Sequence, residues 1–283
     1  MIVAIAGING FIGKSLSKYF ISNGYDVLGI YRNDFTELLN LSKKISQADI
    51  ILNFSGASIF GLWTNRRKKQ IMDSRLNTTR LLVNILNESK TEKLFFNASA
   101  VGIYNSIGNH DEFSKNYSNN FLTEVIKHWE YETEKVKNNN IRVVLLRMGI
   151  VLGADGGFIR QLTKMLRYKL CIILGNKNNF LPVCSVRELY SIINHIISNK
   201  ELCGAINVVE NFILTNEIFY SALVSIKSPL FVFRINNFLL KIFFGRSSVL
   251  FSEGQSVVPK KLVQSDYLFQ ENNITDLLEA IFK

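Results

Sequence analysis

The chain opens on a short apolar run, Ile2 to Ala6, that reaches Gly7, Gly10 and Gly13 and passes into a stretch with Ile12, Leu16 and Phe20 four residues apart. A short unbroken apolar run followed by apolar positions at a four-residue period predicts strand, turn and amphipathic helix. Asn23-Gly24 is a helix stop. The same alternation recurs. Apolar runs at 27–31, 50–54, 94–99 and 143–148 predict further strands. Between them, Ile71, Leu81, Leu82, Ile85 and Leu86 mark one helix. Leu122, Val125, Ile126, Trp129, Thr133 and Val136 mark the inner face of another, running from 121 to about 137. Strands alternating with helices predict an α/β fold with a doubly wound parallel sheet of the Rossmann kind.

Two places depart from this rhythm. Only residues 34–49 separate the second strand from the third apolar run, so the usual third strand and its crossover are predicted to be small or partly missing. Beyond Gly153 the pattern shortens: a turn at Asp155-Gly156-Gly157, a helix with Ile159, Leu162 and Leu166, a strand at 172–174, a helix at 189–197 and a strand at 205–209. Thr215 reads as the N-cap of a helix over 217–224, and 274–282 as a last helix. The predicted organisation is a dinucleotide-binding part over 1–168, with 176–209 returning to it, and a smaller α+β substrate-binding region over 169–283.

Composition narrows the class. The chain has 283 residues, 47% of them apolar, enough for a sizeable core and far from disorder. Cys171, Cys184 and Cys203 are odd in number and fit no metal spacing, which predicts reduced thiols and a cytoplasmic setting. His110, His128 and His195 are far apart, so no metal is expected. The formal charge is +10, but apart from Arg66-Arg67-Lys68-Lys69 the positive residues are scattered. That quartet lies in a predicted helix without an aromatic-rich recognition motif, so no nucleic acid partner is expected. The greasiest stretch, 230–251, is interrupted by Arg234, Lys241 and Arg246. It predicts no transmembrane segment and leaves peripheral membrane contact open. Oligomeric state is not specified.

The glycine turn carries the chemistry. Glycines at this spacing permit a tight reversal, close approach of backbone to a diphosphate and close packing of helix on strand. The helix N-terminus then offers N–H groups to phosphates. The end of the second strand meets the adenosine ribose, where an acidic residue reads the 2′-hydroxyl and an arginine accommodates a 2′-phosphate. Arg32 there favours NADP(H) over NAD(H), with Asp34 as the NAD alternative. Ligands sit beyond the carboxyl ends of the strands. The expected cofactor-binding set is therefore Gly7, Asn9, Gly10, Phe11, Ile12, Gly13, Arg32, Asn53, Ser55, Gly56, Ala57 and Met148. Ser99, at another strand end, is a candidate for the substrate oxygen. Tyr104 is the nearest candidate hydroxyl, and Arg75 a candidate for stabilising a developing oxyanion or binding an acidic substrate.

Taken together, several stretches resemble one family. They include Gly7/Gly10/Gly13, Arg32-Asn33, Asn53-Phe54-Ser55-Gly56 and Trp63-Thr64 with Arg67-Lys68. Further along are Ser74-Arg75 with Thr78, the run from Ala98 to Tyr104, Trp129-Glu130 and the run from Leu146 to Gly153. The last are Asp155-Gly156-Gly157 and the run from Val258 to Leu262. The chain resembles extended-type short-chain dehydrogenase/reductases, within them an atypical NAD(P)-binding, epimerase-like subgroup of undefined substrate. The resemblance implies a small-molecule carbonyl or hydroxyl substrate. It also implies a loss. Ordinary members carry a Tyr-x-x-x-Lys pair on one helix face as acid/base and ribose holder; here those positions are Leu122 and Ile126. By the same resemblance Ser99 is the retained carbonyl-binding serine, and Arg75 stands where an asparagine is usual. Ile8 replaces a turn glycine, which predicts a crowded turn. The expected function is NADP(H)-dependent oxidoreductase or epimerase chemistry; the alternative is a catalytically inactive NADP(H)-binding sensor or structural module.

Overall fold

A computed structural model describes residues 1–282. Four strands alternate with helices in the first part: β1 (Ile2–Ala6), α1 (Phe11–Ser22), β2 (Asp26–Ile30), α2 (Leu38–Gln47), β3 (Ile50–Asn53), α3 (Asn65–Asn87), β4 (Lys93–Ala100) and α4 (Phe121–Thr133). The strands Ile141–Met148 and Gly204–Val208 complete a six-stranded, all-parallel sheet. Its order is Gly204–Val208, Ile141–Met148, β4, β3, β1, β2. Among the described residues no strand lies outside β2, so the short interval after it yields a helix, α2, in place of a further strand and its crossover.

Alternation along each strand divides the apolar side chains between two layers. Val3 and Ile5 of β1, Ile50 and Leu52 of β3, and Leu94 and Phe96 of β4 pack with Leu16 and Phe20 of α1 and with Leu189, Ile192 and Ile196 of α6 (Val186–Ser198). Their neighbours Ala4, Ala6, Ile51 and Phe95 face the other way, onto Leu41 and Ile45 of α2 and Leu82 and Leu86 of α3. Period-two side-chain direction thus gives both faces of the sheet a helix layer, as continuous apolar strands require. Each fully buried large side chain contributes on the order of 1.5–3 kcal/mol relative to leaving it in water.

A second apolar cluster lies beyond the sheet. It joins Ile159 and Leu162 of α5 (Gly157–Leu166), Phe219 and Leu223 of α7 (Asn216–Lys227), and Ile274, Leu277 and Leu278 of the last helix, Ile274–Phe282. Thr215 caps α7 by accepting from Ile218 N–H. The strand Leu170–Leu174 pairs with Phe231–Ile235, and α8 (Asn237–Phe244) follows. The helix expected to run to about 137 stops at Thr133, where the Asn138 amide donates to the carbonyls of Leu86 and Ser89 and draws the chain toward α3. Among the described residues, no helix is long and apolar enough to cross a membrane.

Candidate functional site

The glycines of the first turn differ in what each makes room for. Gly7 has a φ of 81°, and a Cβ there would come within 2.7 Å of the Phe54 carbonyl oxygen. A Cβ on Gly13 would come within 2.3 Å of Gly7 O, so this glycine lets α1 seat directly on the end of β1. Ile8 does not crowd the turn: it avoids positive φ and its side chain packs against the core. Gly10 is the N-cap of α1. It offers no side-chain cap, and the first turn of α1 carries no acidic residue. α3, α4, α6, α7 and α8 are capped by Thr64, Asn120, Ser185, Thr215 and Asn236, whereas α2 and α5, like α1, have neither a side-chain cap nor an acid in the first turn; α1 alone of these three follows the Gly7–Gly10 turn. The free N–H groups and positive dipole end of α1 are left available to an anion.

At the end of β2 the two candidate ribose readers part company. Arg32 is exposed. Asp34 is only 4% exposed and turned inward, with its carboxylate on Lys44 at 2.7 Å and accepting from the Tyr31 N–H and the Asn40 amide. Burial opposes its charge, but those donors hold its pKa below the usual carboxylate value. The acidic alternative is thereby withdrawn from the strand edge, and the arginine is left there.

A cleft of about 430 Å³ opens at the carboxyl ends of β1, β3, β4 and Ile141–Met148. Phe11, Ile12, Phe54, Ser55, Gly56, Ser99 and Met148 line it on the sheet side, and Leu122, Val125, Ile126 and Trp129 of α4 form a further wall. The two positions expected to be aliphatic, Leu122 and Ile126, therefore face the space where acid/base chemistry would occur. Phe11 also explains the Asp155-Gly156-Gly157 turn: a Cβ on Gly156 would come within 2.2 Å of its ring, so the ring needs the glycines.

Arg75 reaches this cleft from α3. Its Nη1 donates to the carbonyls of Ala57 and Ile71 at 3.0 Å each, and its guanidinium lies 5.2 Å from the Trp129 ring centre. No carboxylate pairs with it among the described residues. Burial, then the Arg67 charge, lowers its pKa to about 10, so it stays protonated at neutral pH.

The other polar candidates are drawn into the interior. Ser99 is 2% exposed and donates its hydroxyl to Glu130 Oε1 at 2.5 Å. Arg147 clamps both oxygens of Glu130, through Nε and Nη2 at 2.8 Å each, and donates from Nη1 to the Tyr104 hydroxyl at 2.9 Å. Tyr104 donates in turn to Asn207 at 2.9 Å. Burial works against the charge on Arg147, but its partner Glu130 raises its pKa overall; burial also pushes the Tyr104 hydroxyl up to about 12. Tyr104 is fully buried and stacked on His110, outside the cleft. Asn53 is likewise fully buried: its amide donates to Asn97 at 2.7 Å and to Thr79 at 3.1 Å, tying β3 to β4 and α3. Ser55 bonds Asn53 and Thr78 while still lining the cleft.

The sequence pattern assigns no role to Glu130 or Arg147. A carboxylate on an apolar helix face and an arginine inside an apolar strand are the signals that mark such a pair. Nor does the pattern mark Trp129 as the cleft surface under Arg75.

A dinucleotide-binding sheet edge, a glycine-built helix start and a cleft at the strand ends define a nucleotide-cofactor protein of the Rossmann kind. A sequence profile of the NAD dependent epimerase/dehydratase family matches residues 3–208, and a domain of unknown function, DUF1731, matches 237–281. The chain belongs to the NAD dependent epimerase/dehydratase family, within its atypical short-chain dehydrogenase/reductase branch. It is 27% identical over 299 residues to the epimerase family protein YfhF of Bacillus subtilis (strain 168), covering 99% of this chain and 98% of that protein. It is 25% identical to epimerase family protein SDR39U1 of Mus musculus, covering 95% of each. Among solved structures, human epimerase family protein SDR39U1 (isoform 2) with NADPH matches with a TM-score of 0.91 at 23% identity, covering 99% of each chain. UDP-glucuronic acid 4-epimerase of Bacillus cereus, in complex with UDP-glucuronic acid and NAD, matches with a TM-score of 0.78 at 18% identity, covering 100% of this chain and 98% of that one.

Proposed function

We propose that this chain binds NADP(H) along the carboxyl edge of its sheet and carries out redox chemistry on a small carbonyl or hydroxyl compound. The carrying observation is the uncapped, acid-free start of α1, built on Gly7, Gly10 and Gly13 and opening beside the cleft. The residues present fit a dinucleotide. The first-turn N–H groups of α1, with Asn9, Phe11 and Ile12 around them, would hold the diphosphate. Exposed Arg32 would take the 2′-phosphate, supported by the inward turn of Asp34. Ser55, Gly56, Ala57 and Met148 would flank the rest, while Asn53 supports the strand end from inside. When bound, NADP(H) supplies hydride transfer; the protein supplies orientation and charge.

Of the three side chains assigned to catalysis, Arg75 is the one with its charge in the cleft, and it would hold the substrate oxygen. Ser99 would act through its bond to Glu130, and Tyr104 as a support for Arg147. The division at 168, with 176–209 returning to the sheet and 169–283 as the smaller substrate-binding region, is part of the same reading, as is a cytoplasmic setting, which the free thiols of Cys171, Cys184 and Cys203 support. The test is titration of the chain with NADPH and with NADH, followed by nicotinamide fluorescence. Saturable binding with NADPH favoured is expected; absence of saturation with both would sink the proposal.

A second reading is an NADP(H)-binding module without turnover. It is favoured by one observation, the aliphatic wall of Leu122 and Ile126. NADPH binding combined with no loss of its absorbance over a broad carbonyl panel would select it. Peripheral membrane contact belongs to either reading. Phe231, Phe233, Phe238 and Ile242 are exposed at 57–71%, beside Lys241 and Arg246, and no acidic residue occurs from 218 to 252. Exposed apolar side chains on a stretch of chain that also carries Lys241 and Arg246 fit an anionic lipid surface. Flotation with phosphatidylserine vesicles that survives Phe233→Ser with Phe238→Ser would remove this contact.

A further inference from the structure

The two walls of the cleft differ in the charge they can neutralise. The sheet side offers the α1 N-terminus and Arg75. The facing wall is built by Phe158 at the start of α5, by Phe180 and Pro182, and by Val249, Leu250 and Gln255 after α8. Its ionisable side chain is Glu253, a carboxylate; no lysine or arginine stands on it among the described residues. The start of α5 also reaches the cleft at Gly157 and Phe158, uncapped and without an acid, but it brings no cationic side chain, and the rings of Phe158 and Phe11 make its surroundings apolar.

A nucleoside diphosphate carries at least two negative charges, and charge leaving water must find cations or converging donors. Against this wall it would meet aromatic and aliphatic surface and a carboxylate of its own sign. An apolar molecule, by contrast, would cover Phe158, Phe180, Val249 and Leu250 and lose no solvation in doing so. Among the described residues Arg75 is engaged through Nη1, on two carbonyls, which leaves Nε and Nη2 to donate to a substrate oxygen.

We infer that the substrate is an apolar compound bearing one carbonyl or hydroxyl oxygen, taken by Arg75, and that nucleoside-diphosphate sugars are excluded. This rests on NADP(H) binding at the α1 end, and the experiment separates the two. The chain is first titrated with NADPH. The loaded protein is then titrated with 2-decanone, with acetophenone and with UDP-glucose, following tryptophan fluorescence, since Trp129 lines the cleft. Saturable quenching by at least one ketone, and none by UDP-glucose, is expected. Leu250→Asp should weaken the ketone by about tenfold or more and leave the NADPH titration unmoved. Saturation by UDP-glucose, or failure of both ketones to saturate protein that has bound NADPH, overturns the inference. If NADPH itself does not bind, the cofactor reading falls and the same ketone titration on the free chain still decides the substrate class.

Discussion

The carboxyl edge of the sheet is treated in opposite ways at its two ends. Over β1 the polar groups are backbone N–H donors left without partners, at a helix start stripped of side-chain cap and acid. Over β4 and Ile141–Met148 they are side chains, and these are used up on one another: Ser99 on Glu130, Glu130 on Arg147, Arg147 on Tyr104, Tyr104 on Asn207. The first end is open to a ligand. The second is a closed chain of buried hydrogen bonds that ties the sheet to α4. A fold of this kind can keep the geometry that holds a dinucleotide while the hydroxyls that would move protons are committed to structure.

Breaking the closed end should have the largest effect. Arg147→Ala leaves the Glu130 carboxylate buried without its cation and should cost roughly 3–5 kcal/mol, read as the shift in a urea unfolding curve. A loss under about 1 kcal/mol would mean that the pair does not tie the sheet to α4. At the open end, Arg32→Ala should weaken NADPH roughly tenfold or more while leaving NADH nearly unchanged, because one charge-assisted contact to a phosphate is removed. Equal losses for both cofactors would deny Arg32 its role.

A third carboxylate sharpens the contrast, because it is buried without a cation. Glu210 is 2% exposed; its Oε1 accepts from the Ser185 N–H and its Oε2 has no partner among the described residues. Burial, then the neighbouring charge of Glu188, pushes its pKa up to about 8. An acid whose folded pKa lies above its unfolded value holds its proton in the folded state. Its contribution therefore favours folding at low pH and is progressively lost as pH rises from about 4.5 through about 8. Glu210→Gln should raise stability at pH 8.5 relative to pH 5.5 by roughly 1–2 kcal/mol compared with the parent chain, measured by thermal unfolding at both. An effect of similar size is expected of Ser99→Ala. It removes one hydrogen bond to a charged group, about 1–2 kcal/mol of stability, and should leave NADPH affinity in place. Loss of cofactor binding in that variant would move Ser99 from the closed end to the open one.

Much of the fold was legible along the chain. The strand-helix alternation, the glycine turn and the shortened interval after β2 are local signals: periodicity, backbone freedom and chain length, none of which depends on distant residues. The short interval indeed leaves β2 at the sheet edge. The candidate site was legible only in part, because a polar side chain at a strand end has the same sequence signature whether it faces ligand or core.

What the linear pattern specifies here is therefore a dinucleotide-type sheet with an open helix start and two aliphatic positions on the helix where the acid/base pair is usual. What only the folded chain decides is the destination of each polar group. Ser99 meets Glu130 from 31 residues away, and Tyr104 meets Asn207 from 103 residues away. Asp34 turns to Lys44, and Arg75 is left with no acid. The reason is that burying a polar group without a partner is costly, so most of them take a partner near in space, and nearness in space is set by the packing of distant segments.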